Sequence, residues 1–226
     1  MKRYFGLMLT LLLSSTTILK AQQVNLGIEA GPNFSVLTGT SSTDFESRMA
    51  NGTHIGVYLR YTPSLKWSFW GGPAFSENNF DRTYRSASLT NNFDEALPEE
   101  IDLFYSFKMV ELPLGVMYTI SGEYLDISVQ SAVRGVITSG HDGEFYSQRI
   151  SENNFIQFEI DLENQFKKIG LLAEAGLQAS YALDESTRIF ASAGYAIDVF
   201  GLYDSAEESK RLQRIDLSAG LSIAIF

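Results

Sequence analysis

The chain has 226 residues, 45% of them hydrophobic, and carries 27 acidic against 17 basic side chains for a net charge of −10. The acidic balance argues against nucleic acid as a partner, and the absence of cysteine excludes disulfides, thiolate metal sites, a cysteine nucleophile and a lipidated cysteine anchor. A mean hydropathy of −0.03 is what a soluble domain shows, but a membrane-spanning barrel has the same average because only alternate strand residues face lipid.

In chain order, Lys2 and Arg3 precede an apolar run from Phe5 to Leu13, a small polar stretch and then Ile18-Leu19-Lys20-Ala21. This reads as a cleavable signal peptide over residues 1–21, with the barrel domain at 22–226; the run is shorter than the ~20 residues a helical span needs. Removing Lys2, Arg3 and Lys20 with the leader takes the net charge from −10 to −13.

Eight strands follow, each with apolar side chains at every second position. The first, 24–37, sets Leu26, Ile28, Ala30 and Phe34 against Asn25, Gly27, Glu29, Gly31 and Asn33, and a Ser/Thr/Gly-rich loop covers 38–51. The second, 53–62, sends Ile55, Val57, Leu59 and Tyr61 one way. Pro63-Ser64-Leu65 turns it into the third, 66–85, where Gly71-Gly72-Pro73 predicts a bulge or bend. A polar loop runs to about residue 100. The fourth, 103–120, carries Val110, Leu112, Leu114, Val116 and Tyr118 on one face, and Ser121-Gly122 makes a hairpin turn. The fifth, 123–139, shows Leu125, Ile127, Val129, Val133 and Ile137, and a polar excursion occupies 140–164. The sixth runs to 183 with Ile169, Leu171, Ala173, Ala175, Leu177 and Tyr181, and Asp184-Glu185-Ser186 is again short. The seventh is 187–200. A loop over 201–211 precedes the eighth, 214–226, in which Ile215, Leu217, Ala219, Leu221, Ile223 and Ile225 alternate with Asp216, Ser218, Gly220, Ser222 and Ala224.

The connections alternate long and short, beginning and ending with a long one. Long outer loops, short periplasmic turns and an even strand number are the grammar of an up-and-down bacterial barrel. The expectation is an all-β, eight-stranded antiparallel up-and-down transmembrane β-barrel in the cell outer membrane, with both termini periplasmic and the last strand sealed against the first. A soluble lipocalin-like barrel is the alternative architecture. Tyr61, Trp67, Tyr118 and Tyr181 beside the short turns, with Phe34, Phe75, Phe104, Tyr105, Phe200 and Tyr203 toward the long loops, fit two interfacial aromatic girdles.

Three stretches also resemble a family. Gly27-Ile28-Glu29-Ala30-Gly31-Pro32-Asn33-Phe34-Ser35 resembles the opening strand of the PorT-like outer-membrane β-barrel proteins common in Bacteroidota. Val110-Glu111-Leu112-Pro113-Leu114 through Tyr118 resembles that family's fourth strand, with Met117 where a lysine is usual, and Phe166-Lys167-Lys168-Ile169-Gly170 followed by Gly176 resembles its sixth. The resemblance implies the barrel fold and says little about function; the namesake acts in protein secretion, which fold-level likeness does not transfer. The final aromatic, Phe226, resembles the signal read by the barrel-insertion machinery, although it falls on the parity opposite Ile223 and Ile225.

Chemistry, if any, must lie on the inward face, which carries Glu29, Arg60, Glu111, Asp126, Arg134, Lys168, Glu174, Asp198 and Asp216. Eight strands leave a bore that side chains fill, so these charges must pair, and a salt-bridged plug centred on Arg134 with Glu111 and Glu174 is expected. A narrow solute or proton path is the competing reading. Catalysis has little to draw on: His54 and His141 are the two histidines, each read as a solvated or rim residue, and no hydrolase or phosphate-binding motif occurs. Asp94, Glu95, Glu99, Glu100 and Asp102 lack the spacing of a calcium loop, and no metal or cofactor is expected. Asp204-Ser205-Ala206 resembles a Bacteroidota O-glycosylation signal. The sequence thus reads as a non-enzymatic barrel in contact with outer-membrane lipid, its long loops carrying any protein partner. The other readings are a narrow channel, an accessory component of a secretion system and a lipid-modifying enzyme.

Overall fold

The computed structural model describes residues 23–39, 45–85, 100–122, 125–148, 168–201, 203–205 and 208–225. Residues 1–21, expected to be a leader, together with Phe226 and the acidic residues Asp94, Glu95 and Glu99, lie outside them. The strands are β1 (Gln23–Gly39), β2 (Phe45–Thr62), β3 (Trp67–Gly71), β4 (Ala74–Arg85), β5 (Glu100–Ser121), β6 (Leu125–Gln148), β7 (Ile169–Ala182), β8 (Thr187–Asp198), β9 (Tyr203–Ser205) and β10 (Glu208–Ala224).

All neighbours pair antiparallel, and the sheet closes on itself: β1 is laddered to β2 on one side and to β10 on the other. Elements β3 and β4 are two lengths of one barrel strand, both lying between β2 and β5. The interruption falls at Gly72-Pro73, where proline cannot donate to the ladder. There the Pro73 carbonyl accepts instead from Val57 N at 3.0 Å. Element β9 is a short hairpin partner of β10. The ring is therefore eight-stranded, with up-and-down connectivity. Its seam runs from Asn25 opposite Ala224 to Gly39 opposite Lys210, extended by Ile225 N donating to Val24 O at 2.7 Å.

Alternation sorts the side chains. Ile28, Ile55, Leu59, Leu112, Leu114, Ile127, Val129, Val133, Leu177 and Ile223 are among the large apolar residues on the outer surface, each roughly half exposed or more. A water-soluble monomer rarely shows so continuous an apolar exterior. Trp67, half exposed at the short-turn end of this belt, stacks edge-on against Tyr118 with ring centroids 5.0 Å apart. Among the described residues no helix is long and apolar enough to cross a membrane, which leaves a barrel span untouched.

The short turns need little sequence. In the connection between β7 and β8, Asp184 Oδ1 accepts from the backbone N–H groups of Ser186 and Thr187, each at 2.7 Å, and from the Ser186 hydroxyl at 2.8 Å. Those donors hold its exposed carboxyl below the usual range.

Toward the long loops the strands run further than the hydrophobic pattern implies. The second begins at Phe45, inside the stretch expected to be loop; the fifth continues to Gln148 rather than stopping at 139; the eighth begins at Glu208 rather than 214. The reason is that backbone pairing continues where side-chain alternation stops. Glu100 to Lys108 of β5 pair with Gly140 to Gln148 of β6, past the point where β6 stops alternating, with a register shift between Lys108 and Met109.

The first-strand motif also acquires a physical explanation. The register of β2 against β4 shifts between Met49 and Thr53, which strands carbonyls inside the wall. Asn33, fully buried, donates from Nδ2 to Thr53 O and to Glu77 O, each at 3.0 Å. Ser35, also fully buried, reaches Asn78 Oδ1 at 3.2 Å. Gly27 is required by a close approach: a Cβ there would lie 2.2 Å from the Tyr58 ring, which lies across it.

Candidate functional site

The inward side chains form four tiers. Nearest the long loops, Leu37, Phe80, Phe107, Met109, Val136, Leu172, Ala196 and Leu212 make one buried apolar cluster, none more than 5% exposed. Phe80 and Phe107 meet edge to face with centroids 5.2 Å apart. Seven of the eight barrel strands contribute, so the cluster fills the bore from wall to wall.

Beneath it lies an ionic tier. Glu111 of β5, 1% exposed, accepts from Arg214 Nη1 at 2.5 Å, from Arg214 Nη2 at 2.9 Å and from Arg134 Nη1 at 3.0 Å, and the Ser76 hydroxyl also donates to it. Arg134 of β6 donates through Nε to Glu174 of β7 and lies 3.9 Å from Asp216 through Nη2. Arg214 of β10 donates through Nε to Asp216 Oδ2 at 3.1 Å and through Nη1 to Asn78 Oδ1 at 3.2 Å. A Cβ at Gly194 would lie 2.7 Å from Glu174 Oε1; glycine there leaves the space the carboxylate occupies against β8.

The third tier is aromatic: Tyr58, Trp70, Met117, Ala132 and Phe190 cluster, with Tyr58 edge-on to both Trp70 and Phe190. A cavity of about 20 Å³, lined in part by Glu29, His54 and Asp216, separates it from the ionic tier, room for a single water. His54 Nδ1, Trp70 Nε1 and Gln178 Nε2 are buried around it without a hydrogen-bond partner among the described residues. The fourth tier is a polar vestibule of about 190 Å³ at the short-turn end, lined by residues such as Asn25, Thr62, Ser68, Thr119, Ser128 and Ser180.

Of the inward charges read from the sequence, Glu111, Arg134, Glu174 and Asp216 are brought into one network. Asp198 is buried on β8 and its Oδ1 accepts from Phe200 N at 3.1 Å. Glu29 lines the small central cavity, and Arg60 stands between that cavity and the vestibule. Asp126 pairs with Arg188 near the mouth. Lys168 is exposed, at the bend leading into β7: it has the inward parity but stands past the end of the wall. His54 is a second correction. It is 5% exposed inside the barrel, not a rim residue, because β2 starts nine residues before it. His141 lies in β6.

Arg214, the hub of the network, was not among the expected charges, although it shares its parity with Asp216. The uncharged partners Ser76 and Asn78 gave no signal at all. Among the described residues no group of three or more His, Asp or Glu is placed to hold a metal.

No family model and no curated protein matches the chain. Solved structures do. The outer membrane protein OprG from Pseudomonas aeruginosa superposes with a TM-score of 0.51 at 11% identity, over 91% of this chain and 97% of that one. The fold is that of an outer-membrane β-barrel. Neisserial surface protein A, NspA, covers 88% of this chain and 96% of its own at 14% identity and a TM-score of 0.44. Ail, the attachment invasion locus protein of Yersinia pestis, covers 88% and 97% at 16% and 0.41. At such identities the fold alone is shared, and the OprG superposition is the one it rests on.

Proposed function

We propose that the protein is an integral outer-membrane barrel, non-enzymatic and non-conducting, that works as a rigid anchor for the surfaces at its two ends. The observation that carries this reading is the pair of stacked seals, the apolar cluster over the ionic tier, in a bore that already matches side-chain size. A water-filled path would need polar side chains lining a continuous opening. Here both tiers are closed by contacts between opposite walls. The outward apolar belt supports residence in lipid, and the leader, the insertion machinery, the periplasmic placement of both termini and a protein partner at the long loops belong to the same reading.

The test is conductance. Purified protein reconstituted in a planar bilayer is expected to give no discrete current steps, and reproducible ohmic steps would overturn the sealed bore. Lipase or protease activity abolished in the His54→Ala, His141→Ala double variant would overturn the non-enzymatic part. An accessory role in protein secretion is the second reading, favoured by the PorT-like motifs at Gly27 to Ser35 and Val110 to Tyr118. Co-purification with a secretion complex would move the weight to it.

A further inference from the structure

The vestibule at the short-turn end has a feature that sealing the bore does not need. Arg60 stands at its blind end, shared between the vestibule and the central cavity. Its Nη2 donates to Gln178 Oε1 at 3.0 Å and its guanidinium lies over the Tyr58 ring at 5.4 Å, while Nε is buried without a partner. It makes no ion pair with any described residue. That sets it apart from the other inward arginines: Arg134 and Arg214 are saturated by carboxylates, and Arg188, at the mouth, is engaged by Asp126. The Glu29 carboxylate across the central cavity acts on Arg60 only at a distance, without a contact. The half-buried guanidinium therefore keeps donors free toward the vestibule, and a ring face offsets only part of the cost of its partial burial.

We propose that the vestibule is a binding site for a small, polar, oxyanion-bearing molecule, whose carboxylate or phosphate oxygens pair with Arg60. A planar guanidinium fork suits either group. Hydroxyls and amides from Asn25, Thr62, Ser68, Thr119 and Ser128 line the space, the Asp126 carboxylate that also lines it being held by Arg188, and they match a hydroxylated body rather than an apolar one. The volume, about 190 Å³, exceeds that of an apolar cavity of ~150 Å³ that holds benzene. A ligand the size of a single sugar acid therefore fits. The apolar and ionic tiers close the far side, so the molecule enters and leaves by the short-turn mouth and does not pass through. The site stands independently of the anchoring role, because it is defined inside the barrel whichever compartment the mouth faces.

The experiment is calorimetric titration of the refolded, detergent-solubilised barrel with galacturonate, galactose 1-phosphate and neutral galactose. At least one anionic probe is expected to bind saturably and at least tenfold tighter than galactose, and Arg60→Gln is expected to erase the preference. Heat-modifiable gel mobility verifies that the variant is folded. Arg60→Lys, which keeps the charge without the fork, is expected to retain part of the preference and serves if the glutamine variant does not fold. Absence of any anion preference, or a preference unchanged in both variants, overturns the site.

Discussion

Replacing Glu111 with alanine is expected to cost about 3–5 kcal/mol of unfolding free energy, the range for breaking a buried ion pair from one side. The carboxylate accepts from both Arg214 and Arg134 and from Ser76, and all three donors are buried. Its removal leaves two guanidinium groups sharing Glu174 and Asp216 beneath the buried apolar cluster. Urea unfolding of the folded protein in lipid vesicles measures the loss. The companion double variant, Glu111→Leu with Arg214→Leu, is expected to lose less than Glu111→Ala alone, because an apolar pair of similar bulk removes the orphaned charge together with its partner. A single-variant loss under about 1 kcal/mol, the scale of an exposed pair, would mean that the ionic tier is wetter than its burial indicates.

Placing an arginine on the outer wall should be nearly as severe, for the opposite reason. Val133 is 48% exposed, near the middle of the apolar belt on β6, between Leu114 of β5 and Ala173 of β7. In a bilayer, Val133→Arg is expected to cost about 2–4 kcal/mol, falling to ~0–1 kcal/mol for the same change near an interface. In a water-soluble barrel the position would be an ordinary surface site, with an effect within about 0.5 kcal/mol. Unfolding in vesicles compares Val133→Arg with Leu125→Arg at the short-turn edge. Equal and small effects at both depths would remove lipid from the account.

The belt and most of the ionic tier could be read from the sequence because they depend on parity alone, and the closure of the ring because the connections alternate long and short around an even number of strands. Once Leu112 and Leu114 point out, Glu111 must point in, and the same reasoning places Arg134, Glu174 and Asp216. Arg214 is hidden because the visible alternation begins only at Ile215 and polar neighbours precede it, although its parity equals that of Asp216. The apolar seal escaped for a different reason. Val136, Leu172 and Leu212 have the inward parity, where polar residues were expected, and nothing local marks them as a set. They become a cluster only when strand stagger brings positions from seven strands to one height. Strand ends failed where pairing outruns the hydrophobic pattern, as in β6. The vestibule, with Arg60 in no ion-pair contact, depends on the relative heights of side chains from several strands, which no single stretch encodes.

The most direct measurement of the central claim is the location and mobility of the protein in outer-membrane fractions. It is expected in the fraction that resists urea and alkaline extraction, migrating faster on a gel when unheated than when boiled, because the closed sheet stays folded in detergent. Recovery in the soluble periplasm, with mobility unaffected by heating, would contradict the claim.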